Sequence, residues 1–374
     1  MVSPYRPDIG DTVSVEKPAL NDLLHQLADL GYQTLGPKVR NGTLIYGRLG
    51  DMEELPRGYI SEQSSGRFRL IHTGHGRYFD VIPGAQSWKQ FLFPPRLDLF
   101  KLRREGARWR ALDDKSAPPV YAFIGVRACE LAAMQVQDRV FLREDFFDPE
   151  YRARREHAFV MAVNCLHPAG TCFCASVGRG PRAGSGYDLC LTELDDAFLI
   201  TIGSELGRIV LANIPVMAAS AFLLGLAEGG LQQAEQATRD GPGTAGLTEL
   251  IESNLDSAHW EDVGKRCLGC GNCTSVCPTC FCWDVSDHTN LNATETGRER
   301  VWDSCFNPGY SFQAGGNIRP SIRARYRQWL SHKFGTWQAQ QGTTGCVGCG
   351  RCITWCPAEI DVRKELAALR KEAV

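Results

Sequence analysis

Cys267, Cys270, Cys273 and Cys277 are separated by two, two and three residues and followed by Pro278; Cys346, Cys349, Cys352 and Cys356, followed by Pro357, repeat the arrangement. This is the bacterial ferredoxin spacing, in which three cysteines hold one [4Fe–4S] cluster and the fourth serves its neighbour. Three thiolates at two-residue gaps on a tight loop reach three irons of one cubane. Gly269, Gly271, Gly348 and Gly350 let the backbone pass close to it and offer N–H groups to sulfur. The proline ends the turn. Zinc is the competing metal, but zinc sites favour C-x₂-C pairs with longer spacers, often completed by histidine. The expected ligand sets are therefore crossed. Cys267, Cys270, Cys273 and Cys356 would hold the first cluster, and Cys346, Cys349, Cys352 and Cys277 the second.

Other cysteines form looser groups. Cys129 lies in GVRACE, and Cys165, Cys172 and Cys174 in NCLHPAGTCFC. Each stretch follows a short apolar run of strand length. If the two strands are neighbours, the four thiols meet at one sheet edge and suit a third [4Fe–4S] cluster; otherwise they are small buried hydrophobes. Cys280, Cys282 and Cys305 fit no cluster spacing and are expected to pack beside the first run, with a further centre as the alternative, while Cys190 reads as a core residue. The glycine-rich Gly178–Gly186 resembles a phosphate or flavin cradle but does not open a helix, so a loop covering a cluster is the expectation. Arg319–Lys333 reads as a basic helix, either a solvated face or a positive rim near anionic clusters.

The elements that must position these groups suggest an α+β protein. Residues 1–240 read as a mixed α/β domain, and 241–374 as a mainly helical, ferredoxin-like dicluster domain. Strands are expected over Val120–Val126, Ala158–Val163 and Ala197–Ile202, and helices over Leu20–Leu30, Ala128–Asp138 and Thr248–Trp260. Residues 228–247, polar and glycine-rich around Pro242, read as a linker. Ile209–Ala227 reaches membrane-spanning length, but Asn213, Pro215 and Ser220 interrupt it. A strand ending near Leu211 and then a buried helix is the expected structure, with no membrane span. Sixteen cysteines in 374 residues, with no export signal at the start, point to metal ligation in a reducing, cytoplasmic setting rather than to disulfides. A net charge of −2 argues against a nucleic-acid binder.

Taken together, GVRACELAAMQVQDRVF, VNCLHPAGTCFCASVGRGP, CPTCFCWDVSD, RVWDSCF, RYRQWLSHKF and CVGCGRCITWCP resemble the beta subunit of cytoplasmic [NiFe] sulfhydrogenases and the closely similar electron-input subunit of anaerobic sulfite reductase. The resemblance runs from about residue 120 to 365 and implies an iron–sulfur relay that is not catalytic alone. Its implied partners are a flavoprotein subunit with FAD, a [2Fe–2S] cluster and NAD(P)H, and either the hydrogenase small and large subunits or a sirohaem sulfite reductase subunit. Flavin is expected on the partner rather than on this chain, which has no Rossmann fingerprint, P-loop or nickel-ligand cysteine pairs. A self-contained flavo-iron–sulfur oxidoreductase is the alternative from another class.

Overall fold

The computed structural model describes residues 7–112 and 117–372. Strands β1 (Thr12–Glu16), β2 (Gln33–Arg40) and β3 (Thr43–Arg48) are followed by a hairpin, β4 (Tyr59–Ser64) and β5 (Arg67–His72). A second antiparallel pair, β6 (Arg96–Glu105) and β7 (Arg108–Ala111), precedes β8 (Tyr121–Arg127), β9 (Phe159–Val163), β10 (Leu189–Glu193), β11 (Ala197–Ile202) and the short β12 (Met217–Ala218). Between the two cysteine runs lie β13 (Trp283–Thr289) and β14 (Glu295–Trp302).

The largest sheet has the order β12-β1-β11-β10-β9-β8-β2-β3. Its centre is parallel: β9 pairs with β8 on one side and β10 on the other, and β8 pairs with β2. All of β9, and all of β8 after Tyr121, is buried, as continuous apolar runs require when both faces of a parallel sheet are covered. One cover is helix Ala19–Asp29, which buries Leu20, Leu23, Leu24 and Leu27 on the core face. The other is helix Ala128–Phe141, which starts directly from the end of β8. The expected strands and the helices at residues 20 and 128 are all present.

Four local expectations need correction. The segment ending at Leu211 is a helix, Glu205–Leu211, capped by the Ser204 hydroxyl, which accepts from Gly207 N at 3.1 Å. The helix that follows, Ala221–Ala237, is not buried: Phe222 is 72% exposed, and Leu224 and Leu226 also face outward. That helix also runs through the expected linker, because Leu231 and Ala234 bury themselves and Gly230 packs on Leu166. Packing here outweighs the entropic cost of three glycines within the helix, at 225, 229 and 230. Finally, the helix expected over Thr248–Trp260 is two, Leu247–Ser253 and His259–Arg266. Among the described residues no helix is long and apolar enough to cross a membrane.

The C-terminal part packs short helices around an aromatic core of Trp260, Phe306, Tyr326, Trp329 and Phe334, with the cysteine loops packed against it. It is joined to the N-terminal part by backbone pairing. The hairpin β13–β14 extends the β6–β7 pair into a four-stranded sheet, β13-β14-β6-β7.

A buried ion pair fixes the same junction. Arg351, between Cys349 and Cys352, donates to Glu130, next to Cys129, at 2.7 Å; the side chains are 3% and 1% exposed. Tyr46 Oη also donates to Glu130 at 2.9 Å, and Arg351 Nε donates to the Gly84 carbonyl at 3.0 Å. Such a pair adds little net stability over apolar residues, but removing one partner strands the other charge. Glu130→Gln should therefore cost about 3–5 kcal/mol, seen as a lower urea midpoint. The double variant Glu130→Leu with Arg351→Met should recover much of that loss. An equal or larger loss in the double variant would contradict this account.

Candidate metal centres

The first group is built on two loops. Cys267 closes helix His259–Arg266, Gly271 at φ +71 turns the chain, and Cys273 lies in the single turn Asn272–Ser275. Cys356 comes from the loop after the turn Arg351–Thr354, and Asn272 Nδ2 ties the loops together by donating to the Trp355 carbonyl. Cys267, Cys270, Cys273 and Cys356 line one cavity, where Cys352 also reaches, against Phe306 and Trp329. The backbone N–H groups of Gly269 and Ile360 donate to the sulfurs of Cys267 and Cys356, each at 3.4 Å. Burial, reinforced by the neighbouring sulfurs, holds the Cys273 thiol well above its ordinary range. Cys270 is exposed.

The second group brings Cys277 to Cys346, Cys349 and Cys352, close enough for the sulfurs to perturb one another. Gly348 N donates to Cys346 Sγ at 3.4 Å. Burial pushes the Cys346 thiol up to about 12 and Cys352 well above its usual value. Cys277 goes the other way, because the Cys280 thiol donates to it and the Lys333 ammonium stands beside it. Lys333 Nζ donates to Cys277 Sγ at 3.4 Å, to Thr279 Oγ1 at 2.9 Å and to the Gly345 carbonyl at 3.3 Å. Burial would lower this lysine, but the thiols at 277, 280 and 346 outweigh it and keep it charged.

The third group forms at the carboxyl edge of the parallel strands. Because β8 and β9 are neighbours, Cys129 at the start of its helix and Cys165 in the loop after β9 meet. The turn carrying Cys172 and Cys174 folds back over them, and all four line one cavity with Cys349 and Arg351. Desolvation raises all four thiols, Cys174 to about 12. The glycine-rich loop covers this cavity: Pro181 lines it, and Gly180 leaves room for Cys174 Sγ.

This third group is keyed into the second. Phe173 N donates to the Gly348 carbonyl at 2.8 Å, and Thr171 Oγ1 shares a 2.8 Å hydrogen bond with Thr354 Oγ1. A Cβ on Gly348 would sit 2.6 Å from the Cys174 backbone, and one on Gly350 would sit 2.4 Å from the Thr171 carbonyl oxygen. Both glycines also have positive φ, near +66° and +72°. Only glycine meets both demands.

All sixteen cysteines are free thiols. Among the described residues no three His, Cys, Asp or Glu groups converge as a mononuclear metal site would require. The thiols of the first and third groups line cavities instead, and soft, all-thiol donor sets of this kind fit iron–sulfur clusters.

The family model of the 4Fe–4S dicluster domain matches residues 266–360, the span that carries both cysteine runs. Sulfhydrogenase 2 subunit beta of Pyrococcus furiosus is 32% identical over 328 residues, covering 86% of this chain and 94% of that protein. The chain belongs to the sulfhydrogenase beta-subunit family. It is an iron–sulfur protein of electron transport, with a mixed α/β N-terminal region and a C-terminal dicluster domain. No solved structure matches it.

Sequence reasoning found the cysteines but missed what sits among them. Lys333 was visible only as one charge in a basic helix; its burial beside Cys277 follows from the π-helical turn His332–Thr336 that ends helix Ile322–Ser331. The basic segment is thus divided. Arg325 and Lys333 are buried, while Arg323 and Arg327 pair outward with Glu261 and Asp256. Glu130 and Arg351 each adjoin or lie between cysteines, and that adjacency was the available signal.

Gly350→Ala should separate the third thiol group from the second while sparing the first. Cys174 in the folded variant should then react faster with a maleimide, read by mass spectrometry. Unchanged labelling would mean that the contact is not needed to close the cavity.

Proposed function

We propose that this chain is the electron-transfer subunit of a soluble, NAD(P)-linked [NiFe] hydrogenase or sulfhydrogenase, working between a flavoprotein subunit and the hydrogenase small subunit. Cys267, Cys270, Cys273 and Cys356 would hold one [4Fe–4S] cluster, Cys346, Cys349, Cys352 and Cys277 a second, and Cys129, Cys165, Cys172 and Cys174 a third. When bound, such clusters supply one-electron chemistry at potentials tuned by charge, hydrogen bonds and solvent.

The observation that carries this reading is the serial arrangement of the thiols. Cys352 reaches the cavity of the first group, and Cys349 lines the cavity of the third. The second group is thereby flanked on both sides. The first reaches the surface at Cys270 and at Leu268, which is 64% exposed. That edge is the natural contact for one redox partner.

The protein's own residues do the tuning. Backbone N–H groups at Gly269, Gly348 and Ile360 point at sulfur and would stabilise added negative charge there. The buried Lys333 ammonium adds a full positive charge beside the second group. Phe306, Tyr326 and Trp329 exclude water from the first. Thiolates of this kind need a reducing compartment, so the subunit is assigned to the cytoplasm.

Three tests apply. Iron analysis of anaerobically reconstituted chain should give about twelve irons, and about eight would remove the third cluster. Cys356→Ser should alter the EPR signal of the cluster held by Cys267, Cys270 and Cys273 and leave the other signals in place; a change confined to the cluster of Cys346, Cys349 and Cys352 would refute the crossed ligation. Native complex purified on this subunit should catalyse viologen-linked hydrogen uptake. Sulfite reduction without hydrogen uptake would move it to the sulfite reductase branch.

A further inference from the structure

A cavity of about 310 Å³ lies beside the second thiol group and belongs to none of the three sets of cysteines. Its walls carry Cys280, Cys282, Cys305, Tyr310, Arg319 and Lys333. Cys282 and Cys305 flank the hairpin β13–β14. Trp283 pairs with Trp302, and Asp303 N donates to the Cys282 carbonyl at 2.9 Å, so the strands deliver Cys282 and Cys305 to the same end. The two thiols are in hydrogen-bonding contact, and the Tyr310 hydroxyl donates to Cys282 as well.

We propose that Cys282 and Cys305 are a redox-active dithiol–disulfide couple in a site that admits small anionic molecules. The proposal rests on the relay reading, because the couple needs one-electron centres nearby. In oxidation the pair, one thiolate and one thiol, loses one proton to water and two electrons, and one S–S bond forms. The electrons leave singly to oxidised iron–sulfur centres of the relay, and reduction reverses each item. The path toward the second group is short: the Cys280 thiol lines this cavity and donates to Cys277.

Three observations separate this pair from a ligand set or from inert packing. First, the cavity is far roomier than a packing defect and within the range of small-molecule sites. Second, its lining includes two cations, Arg319 and Lys333, and no carboxylate; Asp303, whose charge bears on Tyr310, is hydrogen-bonded to the Ser304 backbone and Asn307. Third, among the described residues the buried indole N–H groups of Trp329 and Trp337, both lining residues, have no hydrogen-bond partner. Donors without acceptors in a positively charged cavity suit an anion. His332, also on the wall, is held neutral by burial and by Lys333, its pKa lowered to about 4.

The pair is also poised for exchange. Donation from Cys305 and Tyr310 outweighs burial and brings Cys282 down to about 6, so it is a thiolate at neutral pH, while Cys305 is raised and keeps its proton. A thiolate beside a thiol is the arrangement that attacks and resolves disulfides.

The test is differential alkylation of the full, cluster-loaded chain poised at a series of potentials, with Cys282 and Cys305 read by mass spectrometry. Both should lose reactivity together, as a two-electron step, when the potential is raised, and recover on reduction. In Cys305→Ser, Cys282 should stay reactive throughout with iron content unchanged. It should react several-fold faster with iodoacetate than with iodoacetamide, after correction for the reagents' rates with a free thiol, and Arg319→Ala should reduce that preference. An iron-loaded chain whose two cysteines stay reactive at every potential overturns the couple alone. Loss of iron in Cys305→Ser makes the residue a ligand and overturns it too. No preference for iodoacetate overturns the anion site. An iron-free chain fails the relay reading and removes the couple's electron supply with it.

Discussion

Desolvation of sulfur is the constraint on which the molecule depends. Thiols at 129, 165, 172, 174, 273, 346 and 352 are held where burial disfavours the thiolate. A neutral thiol tolerates such a place, but a row of them ringing small cavities gains nothing from burial that alanine or valine would not supply better. Iron at the proposed sites would reverse the balance by supplying positive charge to the deprotonated sulfur. With the proposed ligand sets, drawn from distant stretches of the chain, metal binding and folding would be a single equilibrium. The first group joins residue 267 to residue 356, and the third joins 129 to 174.

The rest of the fold holds these loops in register. Parallel pairing of β8 and β9 places two cysteine loops at one sheet edge, where open α/β sheets generally put their chemistry. The β6–β14 ladder, the Glu130–Arg351 pair and the Thr171–Thr354 hydrogen bond then press that edge against the dicluster domain. Gly348 and Gly350 give up side chains so that two backbones can touch. Packing this close matters for electron transfer, because relayed centres must be adjacent to exchange electrons quickly. It also explains why charged groups such as Lys333 and Arg351 are buried here. They stand beside sulfur, where their charge would offset that of the proposed centres.

The legible part of the sequence was the part set by local spacing. Both ferredoxin runs, the strands at 121, 159 and 197, and the helix from Ala128 follow from rules acting over a few residues. The convergence of Cys129 with Cys165, Cys172 and Cys174 in one cavity could be anticipated because neighbouring parallel strands end at the same edge. What was hidden depends on long-range packing. Residues 228–237 looked like a linker until Gly230 met Leu166, and the segment 209–227 gave no sign that Phe222 would face outward. Cys280, Cys282 and Cys305 have no motif among themselves. Cys282 and Cys305 come together because they flank a hairpin, β13–β14, that pairs Trp283 with Trp302 and is itself held by β6, almost two hundred residues earlier in the chain.

The central claim is that three iron–sulfur centres stand in series, with the two dicluster sets crossed between the cysteine runs. An iron-edge anomalous diffraction map of the anaerobically loaded chain tests it most directly. The account predicts three separate iron centres, the first bound by Cys267, Cys270, Cys273 and Cys356, the second by Cys346, Cys349, Cys352 and Cys277, and the third beneath the glycine-rich loop at Cys129, Cys165, Cys172 and Cys174. A map with all four ligands of a centre drawn from one run, or with no iron at the carboxyl edge of β8 and β9, would contradict it.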